Sequence, residues 1–241
     1  MSPGDPLRFP VVAHDFADRE ALAAALAMRV AQDLSAAIAR RGTALIALSG
    51  GTTPRRFLER LALQPVDWAR VTVTLCDERW VPPTHERSNA RLLAQTLLHG
   101  AAAAARFVSL HADTPTPEAG VAEVERRIGA LPLPFDVVVL GMGMDGHTAS
   151  FFPDGDHLAE ALAPDTPRRV CPMRAAGAGE PRITLTLPLL AGARVAYLLV
   201  DGAAKKTLLD QIVRGEGVAA QAPLRALLDG RPAPLAVYWS P

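Results

Sequence analysis

Short apolar runs alternate with helical segments along almost the whole chain, and this alternation constrains the fold more than any other feature. The run ALIALS at 44–49 is typical of a strand buried on both faces of a sheet. Further strands are predicted at 8–13, 71–76, 107–110, 135–140, 195–200 and 235–240. Helices are predicted at 16–41, from about 54, and at 87–98, 116–129, 203–214 and 222–229. The pattern predicts an α/β fold with a mostly parallel sheet and helices on both faces.

The predicted helix at 16–41 has one apolar stripe and defined ends. Its apolar residues repeat every four positions, Asp18 is expected to cap its N-terminus, and Gly42 is expected to end it. No linker or internal repeat divides the chain, and the Pro/Gly-rich stretch at 163–182 is expected to be a loop over one edge of a site. Residues 1–241 are therefore expected to form a single domain.

Charge and cysteine content argue against several classes of protein. Lys plus Arg and Asp plus Glu each number 25, so neither nucleic acid nor an anionic membrane is expected as a partner. Cys76 and Cys171 are the only cysteines and lie in no metal-binding pattern, so no disulfide framework and no metal site are predicted. The N-terminus lacks the apolar core of a signal peptide, and no apolar run reaches 18 residues. We expect a soluble, cytoplasmic protein.

The segments that follow the strands are the candidate site loops, because ligands bind at the carboxyl ends of parallel strands. The first is SGGTTP, where Gly50 and Gly51 allow a sharp turn with exposed N–H groups. Thr52 or Thr53 can cap the helix that follows. A glycine turn at a helix N-terminus is a potential anion site, although an ordinary strand-to-helix turn has the same composition.

The second loop, DERWVPPTHERSN at 77–89, places charged residues directly after a strand. Arg79 could supply a fork of donors for phosphate oxygens, and a solvated charge cluster is the alternative. Ser88 and Asn89 resemble an N-cap for the next helix. Asn89 could instead point into the cleft.

The third loop contains GMGMDGH at 141–147, which matches a dinucleotide-binding pattern by letter. Its context does not fit, because Pro153 ends any helix within two turns and no clean strand with a ribose-binding acid follows. Asp145 and His147, two residues apart at a strand end, are more typical of an acid–base pair. A structural histidine is the alternative, and the spacing does not support a metal site.

The fourth loop is DGAAKK at 201–206, which contains the only two lysines of the chain. Lys205 stands at the start of a predicted helix, where a cation opposes the helix dipole. That position is understandable if the ammonium faces a bound anion, whereas Lys206 is expected to face solvent. The chain contains no G-x-S-x-G nucleophile elbow, so water activated by a base is favoured over a covalent enzyme intermediate.

Together these loops resemble the 6-phosphogluconolactonase family, from about residue 10 to the C-terminus. The resemblance is carried, in order, by LSGGTTP, DERWVPPTHERSN, GMGMDGHTASFFP, PRITLT and DGAAK. The related glucosamine-6-phosphate deaminases share several of these motifs but have a glutamate five residues after the histidine and a tyrosine after the DE pair. This chain has Phe152 and Arg79 at those positions, as in the lactonases.

The resemblance implies a modified doubly wound sheet of the sugar-phosphate isomerase and lactonase type, and a role for each site residue. His147 would be the general base that activates water, with Asp145 as its partner. Arg79 and Lys205 would bind the substrate phosphate together with the backbone of residues 50–53. Arg182, in PRITLT, is a further candidate. The resemblance does not identify the oxyanion stabiliser, for which backbone N–H groups near Gly143 and the side chain of Arg79 are the candidates.

The implied reaction is hydrolysis of 6-phospho-D-glucono-1,5-lactone in the oxidative pentose phosphate pathway. The implied partner is this phosphorylated sugar lactone, with no cofactor and no metal. The monomer, the commonest state of the family, is expected, and a dimer is the alternative. The competing functions are a sugar-phosphate isomerase or deaminase, a non-catalytic sugar-phosphate sensor and, more remotely, an NAD-dependent dehydrogenase.

Overall fold

The structure, a computed structural model, describes residues 11–241. The expectations for the N-terminus, namely the lack of a signal peptide and a first strand starting at residue 8, lie outside these residues. In the described part the strands are β1 (Val11–Asp15), β2 (Ala44–Leu48), β3 (Val71–Leu75), β4 (Asp77–Arg79), β5 (Arg106–Phe107), β6 (Val137–Gly141), β7 (Val170–Met173), β8 (Arg182–Leu185), β9 (Val195–Asp201) and β10 (Leu235–Ser240). The α-helices are α1 (Arg19–Arg41), α2 (Arg55–Ala62), α3 (Asn89–Thr96), α4 (Pro117–Gly129), α5 (Leu158–Leu162), α6 (Leu187–Ala191), α7 (Ala203–Arg214) and α8 (Pro223–Gly230).

The central sheet has seven parallel strands in the order β1-β10-β9-β6-β2-β3-β5. Chain connections leave β2 toward β3 and leave β6 toward β9, so the order reverses between these two neighbours. Parallel crossovers are right-handed, so the reversal puts the connecting helices on opposite faces. Accordingly, α1 packs with α2 and α2 with α3, whereas α8 packs with α6 and α7. The predicted α/β class with a mostly parallel sheet is confirmed.

Both ends of helix α1 are specified by the residues at its termini. The side chain of Asp18 accepts hydrogen bonds from the N–H groups of Glu20 and Ala21, and Gly42 ends the helix in the left-handed region at φ 79°. By length and composition α1 could cross a membrane. Eight of its side chains are instead buried, and the helix packs against α2, β2, β6 and β10 as a core element.

A second sheet of three antiparallel strands, in the order β4-β8-β7, was not anticipated. Strand β4 follows β3 after the single residue Cys76, and β7 lies inside the stretch at 163–182 that was expected to be a loop. That prediction was wrong for Val170–Met173, because these buried residues form a strand that pairs with β8, the next strand along the chain.

Two local predictions also need correction. Neither Thr52 nor Thr53 caps α2, because the N-cap is Pro54 and no side chain bonds to the helix N-terminus. The strand predicted at 107–110 is shorter and shifted, spanning Arg106–Phe107 at the edge of the large sheet, where it pairs with β3 alone.

The buried stripe of α1 predicts a sharp contrast between two of its residues. Leu26 has no exposed surface, whereas Met28 is 54% exposed. Leu26→Ala should lower the free energy of unfolding by about 2–5 kcal/mol, because it removes buried methyl groups and leaves a cavity. Met28→Ala should change it by less than about 0.5 kcal/mol. Urea unfolding measures both, and equal effects would mean that α1 is not a core helix.

Candidate active site

A cavity of about 280 Å³ opens at the carboxyl ends of β2 and β6, where the strand order reverses. This is the position at which open parallel sheets bind ligands. Nine of the ten predicted site residues line it: Gly50, Gly51, Thr52, Thr53, Arg79, Asn89, His147, Arg182 and Lys205. The tenth, Asp145, does not line the cavity but contacts His147 behind it. The structure therefore brings all four predicted loops to one place.

Asp145 and His147 form a directly bonded pair. Nδ1 of His147 lies 2.5 Å from Oδ1 of Asp145, and the same oxygen accepts the backbone N–H of His147 at 3.1 Å. Partial burial raises the pKa of the Asp145 carboxyl, but the hydrogen bonds from His147 outweigh this and leave it below its ordinary value. Asp145 is therefore ionised at neutral pH, so it holds the proton on Nδ1 and leaves Nε2 as the basic nitrogen.

The second glycine of GMGMDGH makes room for this pair. A Cβ at Gly143 would lie 2.2 Å from Nδ1 of His147 and 2.6 Å from Oδ1 of Asp145. The backbone N–H of Gly143 donates to the carbonyl of His147 at 2.9 Å, which closes the loop on itself. The N–H of Gly143 itself is therefore already bonded within the loop, and the oxyanion stabiliser is not identified by this contact.

Two arginines face the cavity from the small sheet. Arg79 on β4 and Arg182 on β8 are directly paired across the antiparallel strands, and both line the cavity. Side chains at such a pair lie on the same face, and like charges there are destabilising on their own. This arrangement is expected when an anion lies between or above the two guanidinium groups.

Arg182 is held by a buried polar network. Its Nη2 donates to the carbonyl of Ala178 at 2.6 Å, and its Nη1 lies 3.7 Å from Oδ2 of Asp77. Ser150 Oγ donates to the same Asp77 oxygen at 2.6 Å. Burial lowers the pKa of Arg182, and the carboxylate of Asp77 acts in the opposite direction. The sequence motifs contain Asp77 and Ser150 but give no indication that they meet.

Arg79 and α3 are fixed by Glu78, a residue that the sequence interpretation left without a role. The fully buried Glu78 carboxylate accepts the backbone N–H groups of Arg79, Asn89 and Ala90 and the hydroxyl of Ser88. Burial raises the pKa of Glu78, and the three backbone hydrogen bonds offset part of the effect. Nη1 of Arg79 in turn donates to the carbonyl of Arg87 at 2.5 Å. The charged residues at the start of the loop, Asp77, Glu78 and Arg79, are therefore held in place and do not form a solvated cluster.

Asn89 lies inside the cleft, and Ser88 is the residue that caps α3. Nδ2 of Asn89 donates to the carbonyl of Asp77 at 2.9 Å, which fixes the orientation of the amide because a carbonyl can only accept. Oδ1 faces Gly50, where a Cβ would lie 1.9 Å away. Asn89 thus requires glycine at position 50, while the contact of Asn89 with substrate stays a prediction.

The two lysines have different environments. Lys206 bonds to the carboxylate of Asp210 at 2.7 Å and is partly buried, which corrects the expectation that it faces solvent. Lys205 lines the cavity, and within residues 11–241 no carboxylate lies within 4.0 Å of its ammonium. Lys205 therefore presents an uncompensated charge to the cavity.

The cavity wall also carries polar atoms without partners. Among residues 11–241, four buried side-chain atoms that belong to lining residues make no hydrogen bond, namely Ser49 Oγ, Arg79 Nε, Asn89 Oδ1 and Arg182 Nε. Native proteins leave few such atoms unsatisfied, and those that exist call for a water, ion or ligand nearby. The cavity wall therefore offers free hydrogen-bonding groups to a polar ligand.

Neither a metal cluster nor a reactive thiol is apparent in the described part of the chain. No three His, Cys, Asp or Glu side chains there come close enough to hold a metal ion. Cys76 and Cys171 are both buried and unbridged, and burial raises the pKa of each thiol. The titratable group best placed for chemistry in the cavity is His147.

Comparison with known proteins identifies the family. The model of the family described as glucosamine-6-phosphate isomerases/6-phosphogluconolactonase matches residues 17–239. The chain belongs to this family. It is 51% identical to the 6-phosphogluconolactonase of Rhizobium meliloti over 95% of this chain and 98% of the relative. It also superimposes on a crystal structure of a Shewanella baltica 6-phosphogluconolactonase with a TM-score of 0.91 and 37% identity, covering 96% of this chain and 98% of the other.

The fold of this family is shared more widely than any one activity. A monomeric glucosamine-6-phosphate deaminase matches with a TM-score of 0.76 at 15% identity, covering 95% of this chain and 96% of the deaminase. Identity this low supports a shared fold and nothing more. The choice between activities must therefore come from the residues around His147.

The close fit at Gly143 predicts different outcomes for two neighbouring glycines. A Cβ at Gly143 would displace the Asp145–His147 pair, whereas a Cβ at Gly141 meets nothing within 4 Å. In Gly143→Ala the downfield Nδ1–H resonance of His147 should disappear from the proton NMR spectrum. It should persist in Gly141→Ala, and its survival in both variants would contradict the proposed geometry.

Proposed function

We propose that the protein hydrolyses 6-phospho-D-glucono-1,5-lactone to 6-phospho-D-gluconate, the second step of the oxidative pentose phosphate pathway. The observation that carries the proposal is the Asp145–His147 pair at 2.5 Å, set beside a cavity lined by three cationic side chains. Its lactonase relatives, identical at up to half of the aligned positions, support the same activity. We further propose that the enzyme acts as a monomer in the cytoplasm.

The substrate phosphate would bind on the side of the cavity that carries the cationic side chains. Arg79 and Lys205 would bind the phosphate with the backbone of residues 50–53, and Arg182 would add a charge-assisted hydrogen bond. The phosphate is remote from the lactone carbonyl, so this binding energy orients the carbonyl without taking part in bond changes. The same charges exclude uncharged lactones by leaving the cations unpaired.

His147 performs the proton transfers. With Nδ1 bonded to Asp145, Nε2 removes a proton from water as the oxygen attacks the lactone carbonyl. The tetrahedral intermediate then collapses, the bond from carbonyl carbon to ring oxygen breaks, and the imidazolium returns the proton to that oxygen. One base that accepts and then donates a single proton is sufficient for this hydrolysis.

The role of His147 as general base predicts a large loss of turnover when this residue is replaced. His147→Ala should lower kcat by about 10²- to 10⁴-fold, because it removes general base catalysis, with little change in unfolding temperature. The assay uses freshly prepared lactone and subtracts spontaneous hydrolysis. Full activity in a folded variant would remove His147 from the mechanism. Release of ammonia from glucosamine 6-phosphate by the wild-type protein would instead favour the alternative, a deaminase.

The lysine pair offers a matched test of phosphate binding. Lys205→Ala should raise KM by roughly 10- to 150-fold, the equivalent of the 1.5–3 kcal/mol typical of a hydrogen bond between charged groups. Lys206→Ala should leave KM nearly unchanged, because Lys206 is paired with Asp210. Steady-state kinetics compares the two variants, and a similar KM for both would argue that the phosphate binds elsewhere.

A further inference from the structure

An aromatic side chain connects the catalytic histidine to the buried arginine. The ring centroid of Phe152 lies 4.5 Å from that of His147, with the two planes inclined by 41°. The guanidinium carbon of Arg182 lies 5.5 Å from the same Phe152 centroid. Phe152 is buried and lines the cavity. The ring therefore contacts both the proposed base and a proposed phosphate ligand.

The backbone between the two rings has an unusual conformation that makes this contact possible. Ala149 has φ 49°, the one non-glycine residue in the left-handed region among residues 11–241. The N–H of Phe151 donates to the carbonyl of Thr148 at 3.0 Å, which closes a turn directly after His147. The turn points Phe151 into the core and returns Phe152 to the cavity. A strained residue at such a place is typical of a functional constraint.

The contact supplies a restraint that Asp145 does not. The Asp145 hydrogen bond holds one edge of the imidazole at Nδ1, but a single bond leaves the ring free to tilt about that atom. A ring packed at 4.5 Å limits the tilt and thereby fixes the direction of Nε2. When the imidazole accepts a proton, the aromatic ring also favours the resulting cation.

We propose that Phe152 is a positioning residue that fixes the ring plane of His147 relative to Arg182. Through one rigid side chain, the base and the phosphate-binding end of the cavity then keep a constant separation. The role of His147 as base rests on the proposed function. The restraint on its ring is a geometric statement and can be tested separately.

The test compares two adjacent phenylalanines. Phe152→Met and Phe152→Leu remove the aromatic ring and keep an apolar side chain, Phe152→Tyr keeps the ring, and Phe151→Met is the control for losing a buried ring next in sequence. Phe151 is fully buried but does not line the cavity. Thermal unfolding and circular dichroism identify the variants that fold.

Activity supplies the first readout. The non-aromatic variants of Phe152 should lower kcat by about 10- to 100-fold, as expected when a catalytic group is misplaced by about 1 Å, with a smaller change in KM. Phe152→Tyr should recover most of the lost kcat. Phe151→Met should keep kcat within about threefold, even if it unfolds at a lower temperature. A folded Phe152→Met enzyme with the kcat of the wild type would overturn the proposal.

NMR supplies a second readout that does not depend on turnover. In the wild-type protein, nuclear Overhauser effects should connect the ring protons of Phe152 and His147, and their absence would overturn the proposal whether or not any variant folds. In Phe152→Met the Nδ1–H resonance of His147 should broaden, and in Phe151→Met it should remain. Should the wild-type protein fail to hydrolyse the lactone, the proposed function would fail, and the NMR comparison would still decide whether Phe152 restrains the histidine.

Discussion

The reversal of strand order between β2 and β6 is the constraint on which the site depends. Because right-handed crossovers carry the chain away from these neighbours in opposite directions, a crevice forms at their carboxyl ends. The turns that follow the two strands therefore form two walls of one crevice. One wall contains residues 50–53, and the other contains His147. The small sheet closes the third side with Arg79 and Arg182.

Charge is concentrated at this crevice although the chain as a whole is neutral. Of the three cations that line it, Arg182 has the Asp77 carboxylate 3.7 Å away, whereas Arg79 and Lys205 have no carboxylate within 4.0 Å among residues 11–241. Two uncompensated cations match the charge of a phosphate dianion. Glu78 holds its loop in place through backbone groups, so it supports Arg79 without neutralising it.

The sequence predicted those features that depend on local pattern. Buried parallel strands are continuous apolar runs, Asp18 and Gly42 are strong helix-end residues, and the rule that ligands bind at carboxyl ends located the loops around Gly50 and His147. The small sheet escaped prediction because β4 has only three residues and β7 contains Pro172, so neither has a recognisable strand pattern. The pairing of β4 with β8 joins residues about 100 positions apart in the chain. The clustering of Asp77, Ser150 and Arg182 depends on the pairing of β4 with β8, so it could not be predicted from the sequence either.

Because the fold is shared with a deaminase, the activity has to be inferred from the groups that can move protons. The carboxylate that lines the cavity in residues 11–241 is Asp77, and Ser150 and Arg182 already occupy it. The wall beside His147 is the ring of Phe152, which can neither donate nor accept a proton. Isomerisation and deamination require protons to be moved between different atoms of the sugar, whereas lactone hydrolysis requires one proton to be taken from water and returned to the ring oxygen. A single oriented imidazole against an inert aromatic wall is suited to the second task.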